Sequence, residues 1–155
     1  MVALPFPIAR FFEGKRIAVA GVARDGRLPA NAIYRRLRDS GYEAIAVNPY
    51  AQEIEGTVCY PDLASIPGVV DAVVIATHPT VSHQVVRQAS DRGIKRVWFH
   101  RSIGTGSVSE SAVGECRARG IECIVGGCPL MYLGPVDPFH RCMRWWLGWR
   151  GRVPR

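Results

Sequence analysis

Short apolar runs alternating with helix-patterned segments constrain this chain more than any other feature. Residues 16–20, 44–47, 72–76, 96–99 and 122–125 are apolar runs of strand length, rich in Val, Ile and Ala. Between them, residues 30–40, 79–92 and 109–119 repeat apolar positions at helical spacing. Ile33 and Leu37 share one helical face, and Val81, Val85, Val86 and Ala89 form a second stripe. Gly41, Gly93 and Gly120 stand where these helices must stop, because glycine turns left-handed without strain. Strands alternating with helices predict βαβ units, and runs without polar alternation predict strands covered on both faces. The expectation is an α/β fold, an open and mostly parallel sheet of five strands with helices on both faces. Residues 57–60 read as a short extended piece outside that count.

The 155 residues suit about one domain. Residues 1–14 read as a lead-in, 15–130 as the domain, and 131–155 as a basic, Trp-rich extension without clear periodicity. No apolar run approaches the ~20 residues of a membrane span. The first ten residues hold two prolines and no basic stretch before an apolar one, so they do not read as a signal peptide. Cytoplasm is the expected location.

The net charge is +7, from 20 Lys+Arg against 13 Asp+Glu. Five arginines, Arg141, Arg144, Arg150, Arg152 and Arg155, fall in the last 15 residues, where there is no acid. The body is therefore mildly basic, and the charge does not argue for a nucleic-acid partner. Trp145, Trp146 and Trp149 lie at i, i+1 and i+4. They are expected to pack on the domain or on a second subunit, which would make the segment a route to a homo-oligomer. Five cysteines include no C-x-x-C pair and none has a histidine at zinc-ligand spacing, so reduced thiols are expected and no metal site.

In an open parallel sheet, ligands bind beyond the carboxyl ends of the strands, where strand order reverses. The first of these ends carries Gly21-x-Ala23-x-x-Gly26, the dinucleotide fingerprint with Ala at its second position. Gly21 permits the tight turn, and a small residue at 23 lets backbone approach a diphosphate at the helix start. Arg24 and Arg27 add charge there. The fold expectation is accordingly Rossmann-like. The other reading of the loop is a tight turn without a ligand. If the ligand reading holds, Gly21→Val should weaken binding more than folding. The second strand ends in Asn48-Pro49-Tyr50, with no Asp or Glu to hold ribose hydroxyls. That absence speaks against NAD and is compatible with NADP or coenzyme A, whose ribose carries a phosphate. The later ends carry Thr77-His78-Pro79, His100, and Cys128-Pro129.

Several of these pieces together resemble the CoA-binding domain family of small single-domain Rossmann proteins, similar to the corresponding domain of the succinyl-CoA synthetase alpha subunit. They are Lys15-Arg-Ile-Ala-Val-Ala-Gly-Val-Ala23, Gly41-Tyr-Glu-x-Ile-x-Val-Asn-Pro49, Tyr60-Pro-Asp-Leu63, Val97-Trp98 and Cys128-Pro129. The resemblance implies a bound coenzyme A or acyl-CoA and a site drawn from Gly21, Val22, Ala23, Arg24, Asn48, Pro49, Tyr50, Thr77, His78 and Pro79. His100 and Cys128, at adjacent strand ends, complete the candidate cofactor-binding set. Ala23 stands where the family has Ser, and His100 where it often has Gln.

A Cys128–His100 pair would be a thiolate nucleophile if the two met. The competing expectation is a structural Cys-Pro corner beside a polar pocket histidine, and the resemblance agrees with it by implying binding without an established reaction. An NAD(P)-dependent oxidoreductase or redox sensor in the same cleft is the alternative function.

Overall fold

The computed structural model describes residues 4–154; residues 1–3 of the lead-in and Arg155 of the tail lie outside them. A parallel sheet at the centre takes the apolar runs. β1 (Arg16–Ala20) lies between β2 (Glu43–Val47) and β5 (Ala72–Ile75), followed outward on that side by β6 (Arg96–Phe99) and β7 (Glu122–Val125). On the other side β2 pairs with β4 (Thr57–Tyr60), and β4 pairs antiparallel with the two-residue β3 (Glu53–Ile54). The order is β3-β4-β2-β1-β5-β6-β7, seven strands rather than the expected five. The two extra strands are the extended piece at 57–60 and a hairpin partner too short to show a period. Their turn is Glu55-Gly56, with φ of 51° and 75°, a two-residue left-handed turn that suits the twist of paired strands.

Helices cover both faces, as the buried strands require. α2 (Pro29–Asp39) joins β1 to β2, and its Ile33, Tyr34 and Leu37 enter a core shared with Ile17, Val19, Val74 and Trp98. α1 (Phe6–Phe11) and α5 (Pro138–Trp149) join that same layer through Ile8, Phe11, Met143 and Leu147. α3 (Pro79–Asp91) and α4 (Glu110–Ala118) cover the opposite face, where Val85, Val86, Ala89, Ala112 and Cys116 meet Ala18, Val73, Ile75 and Phe99. The two layers take alternate residues of the central strands, as the pleat dictates. Trp98 is fully buried, edge-on to Phe11 at 5.3 Å, with its indole N–H donating to the Gly126 carbonyl at 3.0 Å. Gly41 ends α2 at φ 83°, and the Tyr42 amide returns to the Leu37 carbonyl.

The extension departs from expectation. Residues 129–131 form a 3-10 turn and Pro138–Trp149 a full helix, started by Pro138 in the first turn and by Asp137, whose carboxylate accepts from the His140 amide at 3.0 Å. Met143 and Leu147, one turn apart, anchor the helix on the domain. The tryptophans do not pack there: Trp145 and Trp149 are 73% and 76% exposed. Arg150 instead lies over the Trp146 ring, 4.3 Å from its centroid. Among the described residues no helix is long and apolar enough to cross a membrane.

Candidate functional site

The parallel register brings the carboxyl ends of five strands to one edge. Ala20 pairs with both Val47 and Ile75, Ile75 with Phe99, and Phe99 with Val125. The chain runs outward from β1 to β2 and returns as β5 on the other side of β1, so strand order reverses between β1 and β5. Directly above that reversal lies a cleft of about 690 Å³. Gly21, Ala23, Asn48, Pro49, Tyr50, Thr77 and His78 all line it. Its size falls within the few hundred to about 1,000 Å³ typical of small-molecule sites.

Gly21 has φ 103°, and a Cβ there would lie 2.6 Å from the Ala76 carbonyl oxygen. The close approach is therefore to the neighbouring strand's backbone as much as to any ligand. This corrects the expectation for Gly21→Val, which must disturb folding first. Gly26 is different: a Cβ there meets side-chain ends and no backbone, Arg35 at 3.0 Å and Glu55 at 3.8 Å.

The loop after β1 is pinned from three sides. The Asn31 side chain, fully buried in the first turn of α2, accepts from the Ala23 amide at 3.1 Å and donates to the Ala23 carbonyl at 2.7 Å. Behind it, Glu55 from the β3–β4 turn accepts from Asn31 at 3.3 Å and pairs with Arg35 at 2.9 Å, while Arg35 also reaches the Gly26 carbonyl. From β2, Asn48 donates to the Val22 carbonyl at 2.8 Å and accepts from the Tyr50 amide at 2.8 Å. Asn48 thus shapes the cleft by holding two loops together. Among the described residues no side chain caps the start of α2, which leaves its positive dipole end open to an anion.

Around this frame the charges are few. Arg24 is exposed and donates to the Tyr50 carbonyl at 3.1 Å, at the edge of a smaller neighbouring groove with Pro49, Tyr50 and Pro61. Arg27 is engaged by Asp25 at 2.9 Å. His78 caps α3, its Nδ1 accepting from the Thr80 amide at 3.4 Å, and Pro79 is the first helical residue behind it. Tyr50 is 86% exposed at the cleft mouth.

A second compartment of about 480 Å³ shares the wall formed by Leu28, Ala76, Thr77 and His78 and extends over β6. His100 faces it, as do Ser102, Ile103 and Ser107. His100 Nε2 and the Ser102 hydroxyl are 3.2 Å apart. Burial holds the His100 imidazole down near pKa 4, with the charge of His140 adding to the effect, so it is neutral near pH 7. Burial pushes the Cys128 thiol up to about 12. Burial thus disfavours the charged form of both the thiol and the imidazole.

Of the twelve candidates, Val22, Arg24, Pro79 and Cys128 line neither space; Val22 and Cys128 have their side chains in the core, at 0% and 2% exposure, and Arg24 borders the neighbouring groove. The structure adds lining residues that sequence reasoning passed over: Asp62 after β4, and Val81, Gln84, Val85 and Gln88 along α3. Positions 81, 84, 85 and 88 share one helical face, and that spacing was the available signal. Gln88 accepts from the Leu63 amide at 3.1 Å. Among the described residues no cluster of His, Cys, Asp or Glu is arranged to hold a metal.

Comparison with known proteins agrees with this architecture. Over 86 residues the chain is 33% identical to acetate–CoA ligase (ADP-forming) II of Archaeoglobus fulgidus, a match of 54% of this chain to 13% of the ligase, so it spans a small part of that enzyme's length. Over 116 residues it is 26% identical to the uncharacterized protein YneT of Bacillus subtilis, covering 75% of this chain and 83% of that one. The solved apo form of the dinucleotide-forming acetyl-coenzyme A synthetase 1 of Ca. Korarchaeum cryptofilum superimposes with a TM-score of 0.67 at 26% identity, over 77% of this chain and 27% of that one. The family model described as CoA binding domain matches residues 15–134, and the chain accordingly belongs to the CoA binding domain family.

Proposed function

We propose that this protein binds coenzyme A or an acyl-CoA in the cleft above β1, β2 and β5, and acts as a binding module rather than as a catalyst in its own right. One observation carries the reading: a chain of the CoA binding domain family has a cleft of about 690 Å³ at the strand-order reversal, floored by the glycine turn and bordered by an uncapped helix start. The diphosphate sits against the loop from Gly21 to Gly26 and the open end of α2. The adenosine half lies toward Asn48 and Tyr50, where the exposed phenol ring offers an aromatic face for adenine. A neutral Asn48 at the end of β2 leaves room for a phosphorylated ribose, and Arg24 supplies the cation beside it.

Support for a non-catalytic role is chemical. His100 is held neutral and Cys128 protonated by burial, and neither is poised as a base or nucleophile near pH 7. Thermal shift measurements with CoA, dephospho-CoA, NAD and NADP test the assignment. Stabilisation by CoA with no response to the nicotinamide cofactors is expected; stabilisation by a nicotinamide cofactor alone would replace it.

A further inference from the structure

The compartment over β6 opens directly from the nucleotide cleft through the shared wall of Leu28, Ala76, Thr77 and His78, and begins at the first turn of α2, where Pro29 and Ala30 line it. We propose that it receives the acyl end of an acyl-CoA, and that the ligand is a thioester of a short, uncharged acyl group rather than free coenzyme. The proposal rests on the coenzyme reading above. A diphosphate at the start of α2 sends the two ends of the ligand to opposite sides of the strand reversal. With the adenosine half on the β2 side, the pantetheine arm leaves toward β5 and β6, into this space.

The lining fits such an end. Leu28, Pro29, Ala30 and Ile103 give an apolar wall for hydrocarbon. His100 and Ser102, 3.2 Å apart, place hydrogen-bonding groups where a thioester carbonyl needs them. Among the described residues no Lys or Arg lines the compartment, and the diphosphate already takes the start of α2, so a carboxylate on the acyl chain would lose its water without gaining a cation.

The compartment is also held open by fixed backbone. The Ser107 hydroxyl donates to the Ile75 carbonyl at 2.6 Å and to the His100 carbonyl at 3.0 Å. Gly106 has φ 57°, and a Cβ there would sit 2.4 Å from the His100 carbonyl oxygen, so this turn is built around glycine. At the loop tip Ile103 stays 79% exposed, an apolar side chain at the mouth with little of its surface covered.

Isothermal titration at pH 7.5 with CoA, butyryl-CoA and succinyl-CoA tests this, on the native protein and on Ile103→Glu. Butyryl-CoA should bind about tenfold tighter than CoA, the gain expected from partly burying three carbon groups. Succinyl-CoA should bind no tighter than CoA, and Ile103→Glu should bring butyryl-CoA down to the level of CoA. Equal affinities for CoA and butyryl-CoA, or a butyryl gain that survives Ile103→Glu, overturn the acyl compartment while leaving the coenzyme reading in place. No binding of CoA or of either thioester overturns both.

Discussion

Asn31 holds both backbone groups of Ala23, accepting from its amide at 3.1 Å and donating to its carbonyl at 2.7 Å. A side chain eight residues downstream thereby fixes the residue at the centre of the glycine turn. The Ala23 amide is engaged inside the protein, so an incoming phosphate must find the rest of the turn and the start of α2. Asn31→Ala leaves two backbone groups unpaired beside the cleft. It is expected to cost about 1–3 kcal/mol, read as a fall in the urea midpoint, and to weaken CoA binding in the same variant. A midpoint within error of the native protein would show that the loop does not depend on this clamp.

The two glycines of the turn should behave differently. Gly21→Ala combines φ 103° with a 2.6 Å contact to the Ala76 backbone, and is expected to lose more than about 2 kcal/mol. Gly26→Ala meets side-chain ends rather than backbone, the Arg35 guanidinium at 3.0 Å and the Glu55 carboxylate at 3.8 Å, and should stay within about 1 kcal/mol of native. Chemical denaturation of the pair, side by side, checks the contrast; equal losses would contradict it.

His100 makes stability depend on pH. Its folded pKa near 4 lies below the ordinary 6.5 because burial disfavours the cation. The unfolded chain therefore binds the proton more readily, and stability is lost as pH falls. The contribution is complete above about pH 6.5, declines between 6.5 and 4, and is gone below. Its full size is about 3 kcal/mol at most. Replacing His100 by Gln should flatten that interval in urea titrations at a series of pH values. An unchanged slope would assign the acid sensitivity to other groups.

Thiol reactivity should follow burial. Cys142 is exposed, whereas Cys128 is buried with its thiol pushed up to about 12. The Cys123 thiol is drawn down by a hydrogen bond from Cys116 and the nearby Arg117. Limited iodoacetamide treatment at pH 7.5, followed by peptide mass mapping, should modify Cys142 and Cys123 well before Cys128. Early labelling of Cys128 would contradict a closed corner.

Arg24 should read the ribose phosphate. A charge-assisted contact at an exposed position is worth about tenfold in affinity. Arg24→Ala should therefore weaken CoA by about that factor and dephospho-CoA by less than twofold in calorimetric titration. Equal losses for both ligands would place the phosphate elsewhere.

What was legible in the chain followed from periodicity and glycine. The apolar runs place β1, β2, β5, β6 and β7, and Gly41, Gly93 and Gly120 place the helix ends, because these signals are local. β3 is two residues long and turns on a left-handed Glu55, which no period or composition announces. Met143 and Leu147 are a single buried pair hidden among arginines and tryptophans, so α5 shows no stripe. The site was half legible. Gly21, Asn48 and Thr77 follow from strand ends alone, while Asn31 and Glu55 act through contacts 8 and 24 residues apart that only the folded chain brings together. Val22, two residues past the end of β1, turns its side chain into the core layer of Ile17 and Val19, a break in the strand's alternation that the loop's composition does not announce.

A crystal structure of the protein with coenzyme A tests the central claim most directly. The account predicts the diphosphate against the loop from Gly21 to Gly26 and the start of α2, with adenosine toward Asn48 and Tyr50 and the thiol directed over β6 toward His100. Density for the coenzyme on another face of the sheet, or in this cleft with its diphosphate away from the glycine turn, would contradict it.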